Sequence, residues 1–122
     1  MKMYNNEIYM YANNIIDNFG DVTQKLPIKI NFYLQKNKEI LIKLAQEIEQ
    51  ARIDIIKSHS TIGNNNEYHI KDSEELEKAQ KELDELLQLE QEVQIYKVNI
   101  DSLPDDIILT TGQMEALMFM IN

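Results

Sequence analysis

The stretch Leu26–Ile56, LPIKINFYLQKNKEILIKLAQEIEQARIDII, decides how this chain folds. Its apolar or small residues Ile30, Leu34, Leu41, Leu44, Ile48, Ala51 and Ile55 step by alternating four and three, with Asn37 in the slot between Leu34 and Leu41. That spacing is a heptad seam, so one long helix is expected to pack against other helices along it. Pro27 suits the first position of such a helix, because the N–H it lacks had no intrahelical partner there. Running from 27 to 58, the helix would be on the order of 45 Å long at ~1.5 Å per residue. Ile28, Phe32, Ile40, Ala45 and Ile56 lie beside the seam and require more than one packing neighbour.

Upstream, Ile8, Tyr11, Ala12, Ile15, Ile16 and Phe19 recur at three and four, which predicts an amphipathic helix over 6–19. Gly20 stands where a left-handed residue would end it. Tyr4, Tyr9 and Tyr11 gather here, either as a binding face or as amphipathic rings half-buried against a neighbour. Downstream, residues 59–71, with Gly63 and Asn64 to Asn66, read as a loop carrying a short extended piece at 68–70. Asp72 followed by Glu75 reads as a helix start, and Leu76, Ala79, Leu83 and Leu86 predict a helix over 73–90 that folds back on the long one as a hairpin. Residues 92–100 then turn to Val, Ile and Tyr in approximate alternation, and after a turn at Pro104 the chain is expected to return as a β hairpin over 92–109. Thr110 with Gln113 resembles a capping box that opens a last helix over 111–121. The expectation is one domain, 1–122, mainly α with a small two-stranded β element (α+β).

Composition narrows the function classes. The 122 residues are 43% hydrophobic and 27% charged, a balance that supports a folded core. A net charge of −9 disfavours binding to nucleic-acid duplexes and to anionic membrane surfaces, both of which need clustered cations. The absence of cysteine removes disulfides, thiolate nucleophiles and thiolate metal sites, and suits a reducing cytoplasm. No apolar run reaches the ~18 residues of a membrane span, and Asn and Glu interrupt the amino-terminal segment where a signal peptide would be continuous.

The acidic charge is concentrated. Nine acids against Lys78 and Lys81 lie between Asp72 and Glu92, whereas in 25–57 the bases outnumber the acids. Lys29, Lys36, Lys43 and Lys57 are spaced by seven or its multiple and share a face of the long helix. With Phe32 or Tyr33 to stack on a base, Lys29, Lys36 and Lys43 are candidates to hold an anionic nucleotide, against the plainer reading of a solvated face. Asn37 in the seam either sets the register of an oligomer or faces a ligand cavity. Leu34, Asn37, Leu41, Leu44, Ile48, Met114, Leu117 and Met118 are the candidate subunit interface. His59 and His69 lack neighbours at metal-ligand spacing and read as loop residues. No glycine-rich phosphate loop or catalytic triad stands in the chain, so the expectation is a protein without enzyme activity, metal or cofactor.

Three segments, LPIKINFYLQKN (26–37), LEQEVQIYKVNIDSL (89–103) and TGQMEALMFMI (111–121), resemble a family of small, functionally uncharacterised proteins encoded by phages and prophages, chiefly of low-GC Gram-positive bacteria. The resemblance implies a viral protein in the cytoplasm of a bacterial host, and carries no active site. Within it, one expectation is a helical, oligomeric counter-defence protein that sequesters a cyclic nucleotide or blocks a host defence protein, in one version by setting the acidic third helix against a basic groove. The alternative is a structural or assembly accessory of the particle.

Overall fold

Helical periodicity prevails along most of the chain. The computed structural model describes residues 1–19, 26–63, 65 and 67–122, and is mainly α. In order, the elements are β1 (Lys2–Tyr4), α1 (Asn5–Asn18), α2 (Ile28–Ser58), β2 (Thr61–Ile62), β3 (Tyr68–His69), α3 (Ser73–Leu87), β4 (Glu90–Glu92), a 3-10 turn at Ile100–Ser102 and α4 (Thr111–Met118). Gly20, expected to end the first helix, lies outside the described residues, as do Asn64 and Asn66 of the loop.

Local chemistry sets the helix ends. Pro27, extended at φ −53° and ψ 148°, precedes α2 as its N-cap, and its carbonyl accepts from the Asn31 N–H at 2.9 Å. Asp72 Oδ1 accepts from the Glu75 N–H at 2.7 Å at the start of α3. At α4 the capping box is reciprocal: Gln113 N–H donates to Thr110 Oγ1 at 3.1 Å, and Thr110 N–H to Gln113 Oε1 at 3.0 Å. Gln113 Nε2 also donates to the Asn18 carbonyl at 3.1 Å, so the same side chain ties α4 to the last turn of α1.

One core joins these elements. Ile30, Leu34, Leu41 and Ile48 of α2 share a core with Ile8, Ala12 and Ile15 of α1, Leu117 and Ala116 of α4, Met3 of β1, Val93 and Val98 of the segment after β4, and Met120 after α4. Each large side chain so buried contributes on the order of 1.5–3 kcal/mol of transfer free energy. α2 is longer than α1 and α4 can cover, and α3 folds back along its second half as the expected hairpin.

The β structure differs from the expected hairpin over 92–109. β4 pairs antiparallel with β1, Lys2 opposite Glu92 and Tyr4 opposite Glu90, and 107–109 is not a strand. The segment after β4 fails as a strand for a visible reason. Its buried residues, Val93 and Val98, are an odd number apart, so no single face of a pleated strand carries both. The chain instead docks by isolated contacts: Val98 N–H donates to the Met120 carbonyl at 2.8 Å, and Asn122 N–H to the Val98 carbonyl at 2.9 Å. The short piece at 68–70 does form, as β3 paired with β2.

Candidate functional site

The first turns of α2 gather the chemistry. Lys29, Phe32, Tyr33 and Lys36 fall within eight residues of one helix, so i to i+3 and i+4 spacing makes them neighbours. The Lys29 ammonium stands 5.8 Å from the centre of the Tyr33 ring, and that of Lys36 stands 5.5 Å from the centre of Phe32. Tyr33 leans against Tyr96 with ring centres 5.3 Å apart, which extends the aromatic surface beyond the helix. Phe32 keeps 56% of its surface exposed, and Ile28, one turn earlier, keeps 89%. No acid occurs on α2 before Glu39, so the first turns of this helix carry only positive side-chain charge although the chain as a whole is negative.

Asn37 is what places Tyr96 there. It is fully buried, and its carboxamide engages both main-chain groups of Tyr96: Nδ2 donates to the carbonyl at 2.9 Å, and Oδ1 accepts the N–H at 2.8 Å. Nδ2 also lies 3.6 Å from Met120 Sδ. The side chain thus acts as a neighbouring strand would, satisfying an extended segment that has no strand partner. The hydrogen bonds of the Asn37 carboxamide are thus made within its own chain, to the main chain of Tyr96.

Lys43 stands apart from the cluster. It borders a separate shallow depression of about 410 Å³ lined by Gln35, Lys38, Glu39, Ile42 and Gln46. The residues assigned to a subunit interface divide in the same way. Leu34, Leu41, Ile48 and Leu117 are buried in the chain's own core and Leu44 packs partly against it, because α1, α4 and 93–98 fill the seam from within. Met114 and Met118 remain 37% and 61% exposed. Of the tyrosines near the amino terminus, Tyr9 and Tyr11 are half-buried and Tyr4 is exposed. Tyr11 stacks on Phe119 at 4.9 Å. Tyr9 donates to Glu49 Oε2 at 3.0 Å, and burial followed by that hydrogen bond pushes its hydroxyl up to about 12. Glu49 is held below the ordinary carboxylate range first by the Arg52 fork, whose nitrogens reach it at 2.6 and 3.0 Å.

Two sites were not legible in the sequence. Asn5, almost fully buried, donates through Nδ2 to the Leu86 carbonyl at 2.8 Å and accepts from Gln91 Nε2 at 2.7 Å, while its own N–H donates to the Leu89 carbonyl at 2.9 Å. It supplies one of the orphan carbonyls at the end of α3 with a donor. His59, expected as a loop residue, instead has both ring nitrogens on α3 carboxylates, Nδ1 at 2.7 Å from Glu75 and Nε2 at 3.1 Å from Glu82. Glu75 therefore turns its side chain to His59, and Asp72 caps the helix without a reciprocal bond from it. The signal for this was the seven-residue spacing of Glu75 and Glu82, which puts both on one face of a helix. His69 stays 57% exposed beside Glu67.

Comparison of the chain with protein-family models, with curated proteins and with solved structures finds no match. No helix among the described residues is long and apolar enough to cross a membrane.

Proposed function

We propose that this chain is a non-catalytic accessory protein of a phage that acts by binding, and that it blocks a host defence protein through the exposed first turns of α2. The observation that carries the reading is the pair Ile28 and Phe32, four residues apart and 89% and 56% exposed, on the same turns of α2 as Lys29 and Lys36. An apolar centre with a cationic border on a helix face is the arrangement that seats in a groove of another protein, with an aromatic ring as anchor. The matching surface is an apolar groove rimmed by carboxylates. The phage setting rests on the resemblance of 26–37, 89–103 and 111–121.

The version in which a cyclic nucleotide is sequestered is less well supported. Small ligands are held in concave sites that bury most of their surface, whereas Phe32 stands out from a helix. The carboxamide of Asn37 is already occupied, and Lys43 lies outside the cluster. Assembly in the phage particle is the second reading, and exposed Met114 and Met118 on α4 favour it as adaptable docking residues.

The test uses matched baits, the wild-type protein, Phe32→Ala, Lys36→Ala and Lys43→Ala, in host lysate, with bound proteins and small molecules identified together. A host protein held by the wild type and by Lys43→Ala, and lost from Phe32→Ala, is the expected result. Retention indifferent to Phe32 overturns the reading. Capture of a cyclic nucleotide that depends on Lys36 restores the sequestration version, and capture of particle proteins by all four baits alike restores the assembly version.

A further inference from the structure

Among the described residues, one side chain, His59, bridges the tip of the α2–α3 hairpin to two carboxylates of α3. His59 is the C-cap of α2, and its N–H donates to the Ile56 carbonyl at 3.3 Å. A positive imidazolium there meets the negative end of a 31-residue helix. Its partner Glu75 lies in the first turn of α3, where a negative charge is favoured in turn. With both nitrogens on carboxylates and only 13% of its side chain exposed, the ring can satisfy Glu75 and Glu82 together only by donating twice. A neutral imidazole carries one N–H, so loss of the proton sets a lone pair against a carboxylate.

Little else holds this half of α3. Ala79 is its only fully buried residue, and Leu76 is 54% exposed. The other end of the helix is fastened to α1 by the hydrogen bonds of Asn5 to Leu86 and Leu89. A helix fixed firmly at one end and by one titratable side chain at the other has a defined direction in which to open. We propose that His59 is a protonation-dependent latch, and that α3 swings away from α2 from its amino-terminal end when the imidazolium loses its proton. Opening separates α2 and α3 from the latch towards the tethered end, where Ile48 and Ala51 face Leu86 and Leu89 across a groove of about 320 Å³.

The charges around the latch agree with this direction. From α3, Glu75 and Glu82 face the ring; Lys78 Nζ lies 3.6 Å from the other oxygen of Glu75, and Asp72 lies close enough to act on Glu75 electrostatically. From α2, the Lys57 ammonium stands 5.1 Å from the centre of the Tyr68 ring. From the β2–β3 hairpin, His69 is paired with Glu67. The carboxylates therefore dominate. The hydrogen bond to Glu75, then that to Glu82, raise His59 above its ordinary 6.5 against a smaller opposing effect of burial. For a group raised on closing, the latch is fully present below about pH 6.5 and is lost as pH rises through the closed-state value.

The test is amide hydrogen exchange between about pH 5.5 and 8.5, corrected for intrinsic rates. Protection across 73–82 should be flat below about pH 6.5, then fall by up to about tenfold per pH unit, and level off beyond the closed-state value. Protection in α1 and α4 should hold steady. His59→Gln should give the low plateau at every pH while α1 stays protected, and Glu82→Gln should narrow the pH window. Constant protection of 73–82 in the wild type, or the same pH trend in His59→Gln, overturns the latch.

Discussion

Replacing Asn37 by leucine tests the central packing argument, because polarity and burial predict opposite signs. If the position were an ordinary seam slot, Asn37→Leu would add apolar contact and stabilise, by at most the ~1.5–3 kcal/mol of a buried leucine. The structure places two main-chain groups of Tyr96 against this side chain, at 2.9 and 2.8 Å, and leucine answers neither. A buried donor or acceptor left unsatisfied costs about 1–3 kcal/mol, so the pair costs about 2–6. At the middle of the two ranges the difference is a loss of about 2 kcal/mol, since the apolar gain offsets only part of the cost. At a urea slope of about 1–1.5 kcal/mol/M, the midpoint should fall by roughly 2 M. Equilibrium urea unfolding followed by far-ultraviolet circular dichroism reads this directly. A midpoint equal to or above that of the wild type, at unchanged slope, refutes the assignment of Asn37 to Tyr96. Asn37→Asp separates the two bonds: at neutral pH its carboxylate still accepts the Tyr96 N–H but faces the Tyr96 carbonyl without a proton to donate. The introduced carboxyl, raised by burial, should recover stability as pH falls through its folded value toward the ordinary ~3.9.

The other predictions use similar measurements. Asn5→Ala should cost about 1–3 kcal/mol in urea unfolding, because the Leu86 carbonyl and Gln91 both lose their partner. Phe32→Ala should change stability by no more than ~0.5 kcal/mol, since the ring is 56% exposed; a larger loss would mean that Phe32 is structural and not a free anchor. Ultraviolet titration of the six tyrosines should find one ionising at about 12, absent from Tyr9→Phe; because Tyr9 is raised on folding, its contribution to stability is lost as pH climbs from 10 to about 12. Sedimentation of Met118→Glu against the wild type should show no change of mass if the molecule works alone, and a shift to lower mass would revive self-association through α4.

The helices were legible because their information is local: apolar spacing, Pro27, the Asp72 cap and the Thr110–Gln113 box each act within a turn or two. The strand partner of Glu90–Glu92 was not, because Lys2–Tyr4 is too short to carry a pattern and lies some ninety residues away. Asn37 was recognisable as an odd residue in a seam, yet its partner is main chain, which every residue possesses and no sequence marks. The patch of Lys29, Phe32, Tyr33 and Lys36 could be gathered from helix spacing alone, whereas Tyr96 joins it only through tertiary structure. His59 lacked meaning until the hairpin brought Glu75 and Glu82 to it.

The Asn37–Tyr96 junction also has a bearing on synthesis. The two residues are 59 positions apart, and Met120, which closes over the same amide, is 83 away. On a ribosome adding about 5–20 residues per second, Asn37 emerges several seconds before either partner exists. In that interval α1 can shelter one side of α2, but the side later met by Val93, Val98 and Leu117 stays open to water and to other nascent chains. A single amide on that open side makes the waiting seam less sticky than an unbroken row of leucine and isoleucine, at no cost once Tyr96 arrives to complete its hydrogen bonds.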